Sequence, residues 1–580
     1  MVDPIIEFGQ GGKETSSRPL ALWMILGLIV AVSLAVRVAA WAHWGTGAIE
    51  NEGAEYARIA ENIRNGVGFV GMAMPGTQVN FNPLFPLLIA GASYITRDYE
   101  WAARLVSLLL GCLLPLPVFG VASRLFNRRV GFIAAVLTIL HPLSINLSFT
   151  AFSEAAYMTL LLSAVYVALR ALDHSSIALW LLVGGTFGLA YLLRGEAVAV
   201  FLIAILFALA ATSGGPALRG KRAAAAITVF VLLALPEVLL MYRSTGRILL
   251  EGKSTIFYFI DSRILAAETS LAVDHQLPDG QDGELSSASD PALNWAHWAI
   301  DGQLRGTGVM QSGAQIIRET RVTVRGLAGL LRKGARRNIS ELLRTLSSSW
   351  FGAPFLPALA LLGAVRRPWR RPQALSRLFI IFTPAAPIAA TFSRFWSDPR
   401  HYCILVPFLS IWAASGLDEV GRWTKASCAA AGWRLPAGDP ICRFAVPALI
   451  GLASVIWPVK GVRTLYFSAE GSRSSLVEKR VGSWIGHQQA RSVRVMDLYL
   501  RPAYHADAQF THFPYCTGEL ALRYLDAAHV DYLVLRRGQT FTRYYEDWLT
   551  HGIPDPRAEL LHLFPDTDAQ FVIYRWHRGG

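Results

Sequence analysis

Apolar stretches approaching 20 residues recur along this 580-residue chain, and a bilayer core, where no water meets backbone amides, is the environment that selects them. The first runs from Leu20 to His43. Others lie at Leu105–Val121, Val130–Phe149, Ala155–Leu169, Ile177–Leu193, Ala197–Ala211 and Ala223–Tyr242, with a second group at Trp350–Val365, Leu378–Thr391, Tyr402–Leu417 and Phe444–Val459. About eleven spans result. With 53% hydrophobic and 16% charged residues, a soluble domain could not cover its surface, and 17 Trp, 18 Tyr and 29 Phe exclude a solvated coil. On this background the net charge of +13 reads as cytoplasmic anchoring and affinity for anionic headgroups rather than nucleic-acid binding. The five cysteines are scattered and give neither a disulfide framework nor a ligand cluster.

Charge sets the orientation. Met1–Pro19 is too polar for a signal peptide and reads as a cytoplasmic tail. Pro83–Tyr94 is apolar but short and carries Pro83 and Pro86. If it lies in the interface instead of crossing, the basic loops Arg124–Arg129, Arg219–Arg222 and Arg366–Arg377 all fall on the N-terminal side, as the positive-inside rule requires. The N-terminus is therefore expected inside and the C-terminus outside. The long external loop Asp261–Ser349 carries Arg318, Arg321, Arg325, Arg332, Lys333, Arg336 and Arg337; long loops are excused from the charge rule, and a basic amphipathic stretch here would lie on lipid phosphates. From about Gly461 the composition turns polar, with strands expected at Ser492–Leu500, Val530–Leu535 and Phe571–Trp576 and a helix at Glu519–Ala528. The expected fold is thus an all-α polytopic membrane bundle with a small C-terminal extramembrane α/β domain. Its parts are a tail over 1–19, a bundle over 20–460 with external loops 44–104 and 261–349, and the α/β domain over 461–580.

Acids and arginines collect at the outer ends of the spans. Glu52 and Glu55 lie in Asn51-Glu52-Gly53-Ala54-Glu55-Tyr56, which opens a helix; the plain alternative is an Asn51 cap with acids at the positive helix end, worth about 0.3–1 kcal/mol each. Ser153-Glu154 sits between two spans with no room for a long loop, a costly place for an unpaired carboxylate. Arg194-Gly195-Glu196 forms a hairpin tip, Tyr242-Arg243 follows Pro236 and Glu237, and Arg394, Asp398, Arg400 and His401 precede a span containing Pro407. A single arginine here is ordinarily a headgroup anchor. Together these residues make an external basin of acids and guanidinium groups.

Such a basin suits group transfer from a phosphate ester to a hydroxyl, which needs a base for the incoming hydroxyl and fixed positive charge for the leaving phosphate. Arginine supplies that charge bidentately without losing its proton. No His-Glu-x-x-His, complete phosphate-cradling Gly-x-x-x-x-Gly-Lys-Ser/Thr loop or Gly-x-Ser-x-Gly elbow occurs. Glu52 and Glu154 are the pair between which a divalent ion would sit.

The ordered set of the acidic motif before Tyr56-Ala57, the Asn82-Pro83-Leu84-Phe85-Pro86 turn, Arg104, Phe126-Asn127-Arg128-Arg129, Ser153-Glu154 and Arg400-His401-Tyr402 with Pro407 resembles the GT-C superfamily of membrane glycosyltransferases. More narrowly it resembles the branch of protein O-mannosyltransferases and the lipid A aminoarabinose transferase. The resemblance spans about Trp23–Leu417. It implies transfer of a sugar from a polyprenyl-phosphate carrier to a glycan, lipid or protein hydroxyl on the non-cytoplasmic face of a bacterial-type inner membrane, usually with inversion. It implies Glu52 as base, with Glu55 as fallback, Glu154 as second acid, and Arg400 on the carrier phosphate. Arg194, Arg243, His401, Tyr402, Tyr56 and Asn82 are the further donor- or phosphate-binding candidates, Asn82 standing where the aminoarabinose branch has Lys. A flippase for lipid-linked glycans or a polysaccharide ligase are the competing readings; a flippase is expected to carry mid-span charge, which is sparse here.

Overall fold

The structure is a computed structural model and describes residues 17–44, 47–174, 176–211, 215–258, 312–348, 351, 355–366, 371–392, 399–430, 469–488, 493–513, 518–537, 543–565 and 570–578. The expected span Phe444–Val459, most of the 261–349 loop, and Arg394 and Asp398 lie outside these residues.

The chain is an integral membrane protein and mostly helical. The N-terminal helices are α1 (Ser17–Trp44), α2 (Asn51–Arg64), α3 (Leu84–Thr96), α4 (Tyr99–Leu113), α5 (Pro115–Leu125), α6 (Arg128–Leu140), α7 (Pro142–Asn146), α8 (Glu154–Asp173), α9 (Ile177–Leu193), α10 (Ala197–Ala211) and α11 (Pro216–Thr245). Later come α12 (Gly313–Glu319), α13 (Val324–Leu346), α14 (Phe355–Val365), α15 (Arg371–Phe392) and α16 (Leu405–Ala430). Among the described residues five helices are long and apolar enough to cross a bilayer: those over Leu22–His43, Tyr99–Leu125, Glu154–Asp173, Pro216–Thr245 and Ala374–Phe392. Four shorter apolar helices accompany them, α3, α9, the Ala197–Ala210 part of α10, and α14.

The count of eleven full-length spans is therefore not reproduced among the described residues. The run Val130–Phe149 is broken at His141, because Pro142 opens α7 and the residue before a proline is driven out of the helical region (His141 φ −69°, ψ 122°). The run read as Trp350–Val365 is helical only over Phe355–Val365. That short helix gains contact by close approach. A Cβ on Gly363 would fall 1.9 Å from the Trp412 carbonyl of α16, so glycine brings the two backbones together without a hydrophobic driving force between lipid-exposed helices.

Two of the basic loops meet at one end of the bundle. Asp418 lies 3.0 Å from Arg366 and 3.7 Å from Arg129, and Arg124 pairs with Asp173 at the last residue of α8. Glu154, the first residue of α8, is about 30 Å away at the other end.

At that other end sits the C-terminal α/β unit, with helices α17 (Ala469–His487), α18 (Leu500–His505), α19 (Gly518–Ala527) and α20 (Arg543–His551) and strands β1 (Arg494–Asp497), β2 (Gln509–His512), β3 (Tyr532–Arg536), β4 (Ala558–Pro565) and β5 (Gln570–Trp576). The sheet order is β2-β1-β3-β5-β4, parallel from β2 through β3 and antiparallel at β5 and β4. Helices α17 and α18 pack one face and α19 and α20 the other, so β3 is buried along its length, as a doubly covered strand must be. Three strands were expected and five are present among the described residues; β2 and β4 are the two edges of the sheet.

Candidate active site

Helix α2 is placed by its first turn. Its N-cap is Glu50, not Asn51, and makes no side-chain cap. Instead Glu50 Oε2 accepts from the Ala151 amide at 2.8 Å, and Gly53 leaves room for Ala151, whose Cβ would lie 2.6 Å from a Cβ at that position. This seats α2 on the segment just before Glu154 and brings the two acidic motifs together. Asn51 has a different partner: its Oδ1 accepts from the Leu500 amide of the C-terminal unit at 2.6 Å. Arg58 adds an ion pair with Asp507 at 2.5 Å, and Lys479 reaches Glu100 at 3.0 Å.

Glu52 faces Arg400, with Oε2 2.8 Å from Nη1. The Arg400 guanidinium also lies over the Phe152 ring, 4.6 Å from its centroid, a cation–π contact that orients it. Burial would raise the Glu52 carboxyl, but the charges of Arg400, Lys253 and Arg194 outweigh it and hold the group well below the ordinary carboxylate range. Tyr56 stands beside it, its hydroxyl 3.4 Å from Glu52 Oε1 and 3.3 Å from Ser153 Oγ, its ring wedged edge-on to Phe81 and Phe85.

Glu154 is buried and paired with Arg194 at 3.0 Å, while Arg194 also binds Glu196 at 2.9 Å. The second Glu154 oxygen, Oε2, and the Tyr157 hydroxyl one turn on are both sealed from solvent without a hydrogen-bond partner. Burial of such groups unpaired is costly, and a polar ligand that reached them would offset that cost.

Not every expected residue joins this group. Glu55 is tied to its own loop: Oε2 accepts from the Met72 and Ala73 amides at 2.9 and 3.1 Å, and Oε1 from the Gln78 side chain. Burial outweighs these bonds and raises its carboxyl to about 7. Asn82 donates to Glu237 Oε1 at 2.8 Å and to the Tyr191 carbonyl at 3.2 Å. The Tyr402 hydroxyl is turned to the Asn338 carbonyl at 3.1 Å. His401 is half-buried in the same short 3₁₀ turn as Arg400, Pro399–Tyr402, and Arg243 is exposed in the last turn of α11. The sequence reading missed Lys253, Glu251 and Tyr157. Lys253 and Glu251 follow α11 with no motif spacing to mark them, whereas Tyr157 could have been found as the residue one turn after Glu154.

A divalent ion fits this donor set poorly. Glu52 and Glu154 each already face a guanidinium, and among the described residues no group of three or more His, Cys, Asp or Glu could hold a metal.

Residues 80–248 match the family model of dolichyl-phosphate-mannose-protein mannosyltransferases, a stretch that includes Asn82, Glu154 and Arg194. No curated protein matches the chain. Among solved structures, the archaeal oligosaccharyltransferase AglB from Archaeoglobus fulgidus, in complex with an inhibitory peptide and a dolichol-phosphate, aligns with TM-score 0.55 and 15% identity over 90% of this chain and 70% of its own. ArnT from Cupriavidus metallidurans bound to undecaprenyl phosphate aligns with TM-score 0.54 and 13% identity over 96% of this chain and 98% of its own. At these identities the likeness is one of fold.

Proposed function

We propose, for a chain that belongs to the GT-C superfamily by its fold and its partial family-model match, that it transfers a sugar from a polyprenyl-phosphate carrier to an acceptor hydroxyl. The reaction takes place at the basin end of the bundle, on the non-cytoplasmic face. The observation that carries this reading is the pairing of two carboxylates with two guanidinium groups in one basin, Glu52 with Arg400 and Glu154 with Arg194.

Glu52 is the base and Arg400 the phosphate ligand. Before the donor binds, each neutralises the other, and Glu52 held this low is a weak base. A carrier phosphate that takes Arg400 removes the charge that depresses Glu52, so the carboxylate regains proton affinity when donor is present. The acceptor oxygen then attacks the anomeric carbon as its proton passes to Glu52. The bond from that carbon to the phosphate oxygen breaks, and the phosphate leaves with the electron pair. Charge grows on the leaving group, and Arg400 and Arg194 meet it with fixed donors. Attack opposite the leaving group inverts the anomeric centre. Glu154, paired with Arg194, holds that guanidinium in place, and its second oxygen together with the Tyr157 hydroxyl offers hydrogen bonds to the sugar.

The reading is tested with purified full-length protein in liposomes that hold radiolabelled polyprenyl-phosphate sugars together with a cell-envelope extract as the source of acceptor hydroxyls. Transfer converts the label to a product that no longer carries the polyprenyl chain and releases polyprenyl phosphate. Movement of intact donor across the bilayer without cleavage would identify a flippase instead.

A further inference from the structure

Helix α13 carries three different faces along 23 residues. Leu330, Gly334, Asn338 and Thr345 are buried against the bundle. Beside them Val324, Leu327 and Leu331 form an exposed apolar stripe, which Ile339 and Leu343 continue. Arg325, Arg332 and Arg336, spaced by seven and four, make an exposed basic stripe next to it.

Water does not suit this helix, because it would leave the leucines hydrated, and the acyl region does not suit it either, because the arginines would be stripped of water. An interface satisfies both stripes at once. The partner is then fixed by charge: guanidinium groups in a row, with Glu341 the helix's only described acid side chain, complement phosphates, and arginine binds phosphate bidentately. The helix is also anchored to the site. The Asn338 carbonyl accepts from Tyr402, and its Nδ2 donates to the Thr391 carbonyl at 3.3 Å, so α13 rests on segments to either side of Arg400.

We propose that α13 is an interfacial helix whose Arg325, Arg332 and Arg336 stripe binds the headgroup phosphates of anionic phospholipids at the rim of the basin. This holds whether or not the sugar-transfer reading does, and its test needs no turnover.

The full-length protein and the triple variant Arg325→Gln, Arg332→Gln, Arg336→Gln are placed in nanodiscs of mixed phosphatidylcholine and phosphatidylglycerol. The lipids retained after detergent exchange are then counted by native mass spectrometry. Wild type should keep phosphatidylglycerol in excess, and the triple variant should lose that preference by about tenfold or more. Removing two exposed arginines of the C-terminal unit, Arg523→Gln with Arg575→Gln, should leave it unchanged. In parallel, an Ala328→Cys variant carrying a polarity-sensitive dye should be quenched by lipids with brominated acyl chains. Equal retention of the two lipids by wild type and triple variant, or a dye that stays in a water-like environment, would overturn the proposal.

Discussion

The Arg400 guanidinium approaches the Glu52 carboxylate to 2.8 Å, joining the first loop after α1 to the short turn that opens α16. In the roles proposed for them neither residue is ready in this pairing, since the proposed base is depressed and the proposed phosphate ligand is occupied. The proposal therefore couples both residues to one event, arrival of a phosphate.

Replacing the base separates chemistry from scaffold. Glu52→Gln keeps the shape and removes the proton acceptor, so insertion should be normal and turnover should fall about 100-fold or more. Glu55→Gln should behave in the opposite way. Its oxygens hold the Met72 and Ala73 amides and Gln78, so turnover should stay within about threefold while thermal stability drops by about 1–2 kcal/mol. Reversed effects would move the base by three residues.

Glu55 also predicts a pH dependence of stability. Its folded carboxyl, at about 7, lies above the unfolded value of 4.5, so the folded state holds more protons between the two. Stability should therefore be highest below the unfolded value and fall as pH rises through the folded one, by an amount on the order of a few kcal/mol. Asp497, buried and raised to about 8, adds a slope of the same sign that extends further. Melting curves from pH 4 to 9 (about that range) should show this decline, and Glu55→Gln should flatten its lower part.

Arg400→Lys keeps the charge but loses the planar fork. Donor turnover should fall by the equivalent of about 2–4 kcal/mol, as for loss of one preorganised oxyanion donor, with insertion unaffected. Arg243→Lys, an exchange at an exposed helix end, should be silent. Near wild-type turnover for Arg400→Lys would make Arg400 an anchor and shift the phosphate site to Arg194.

Asn51 links the helix of the proposed base to the C-terminal unit. Asn51→Ala removes the acceptor of the Leu500 amide, and hydrogen exchange at that amide should quicken about tenfold, as expected for the loss of one hydrogen bond worth about 1–2 kcal/mol. Unchanged exchange would mean that Arg58–Asp507 and Lys479–Glu100 hold the junction without it.

Much of the architecture was legible because bilayer length and charge asymmetry act through composition. Glu154 and Arg194 stood out for the same reason, as charges at the ends of apolar runs. What was not legible depended on long-range contact. Asn51 reads as a cap from local sequence, but its partner, Leu500, lies in a different part of the fold. Glu55 shares the Glu52 motif, yet the backbone of its own loop takes both its oxygens. Lys253 becomes relevant only once the chain returns to the basin. The edge strands β2 and β4 escaped because an edge need not be apolar on both faces; Leu560 and Leu563 of β4 are exposed.

The central claim is that this basin cleaves a polyprenyl-phosphate sugar with Glu52 as base. Its most direct test is mass spectrometry of the lipids extracted from a deletion strain carrying either the wild-type chain or Glu52→Gln. A polyprenyl-phosphate sugar should accumulate in the deletion strain and equally in the Glu52→Gln strain, and disappear with the wild-type chain. Absence of any accumulating lipid-linked sugar, or full rescue by Glu52→Gln, would contradict it.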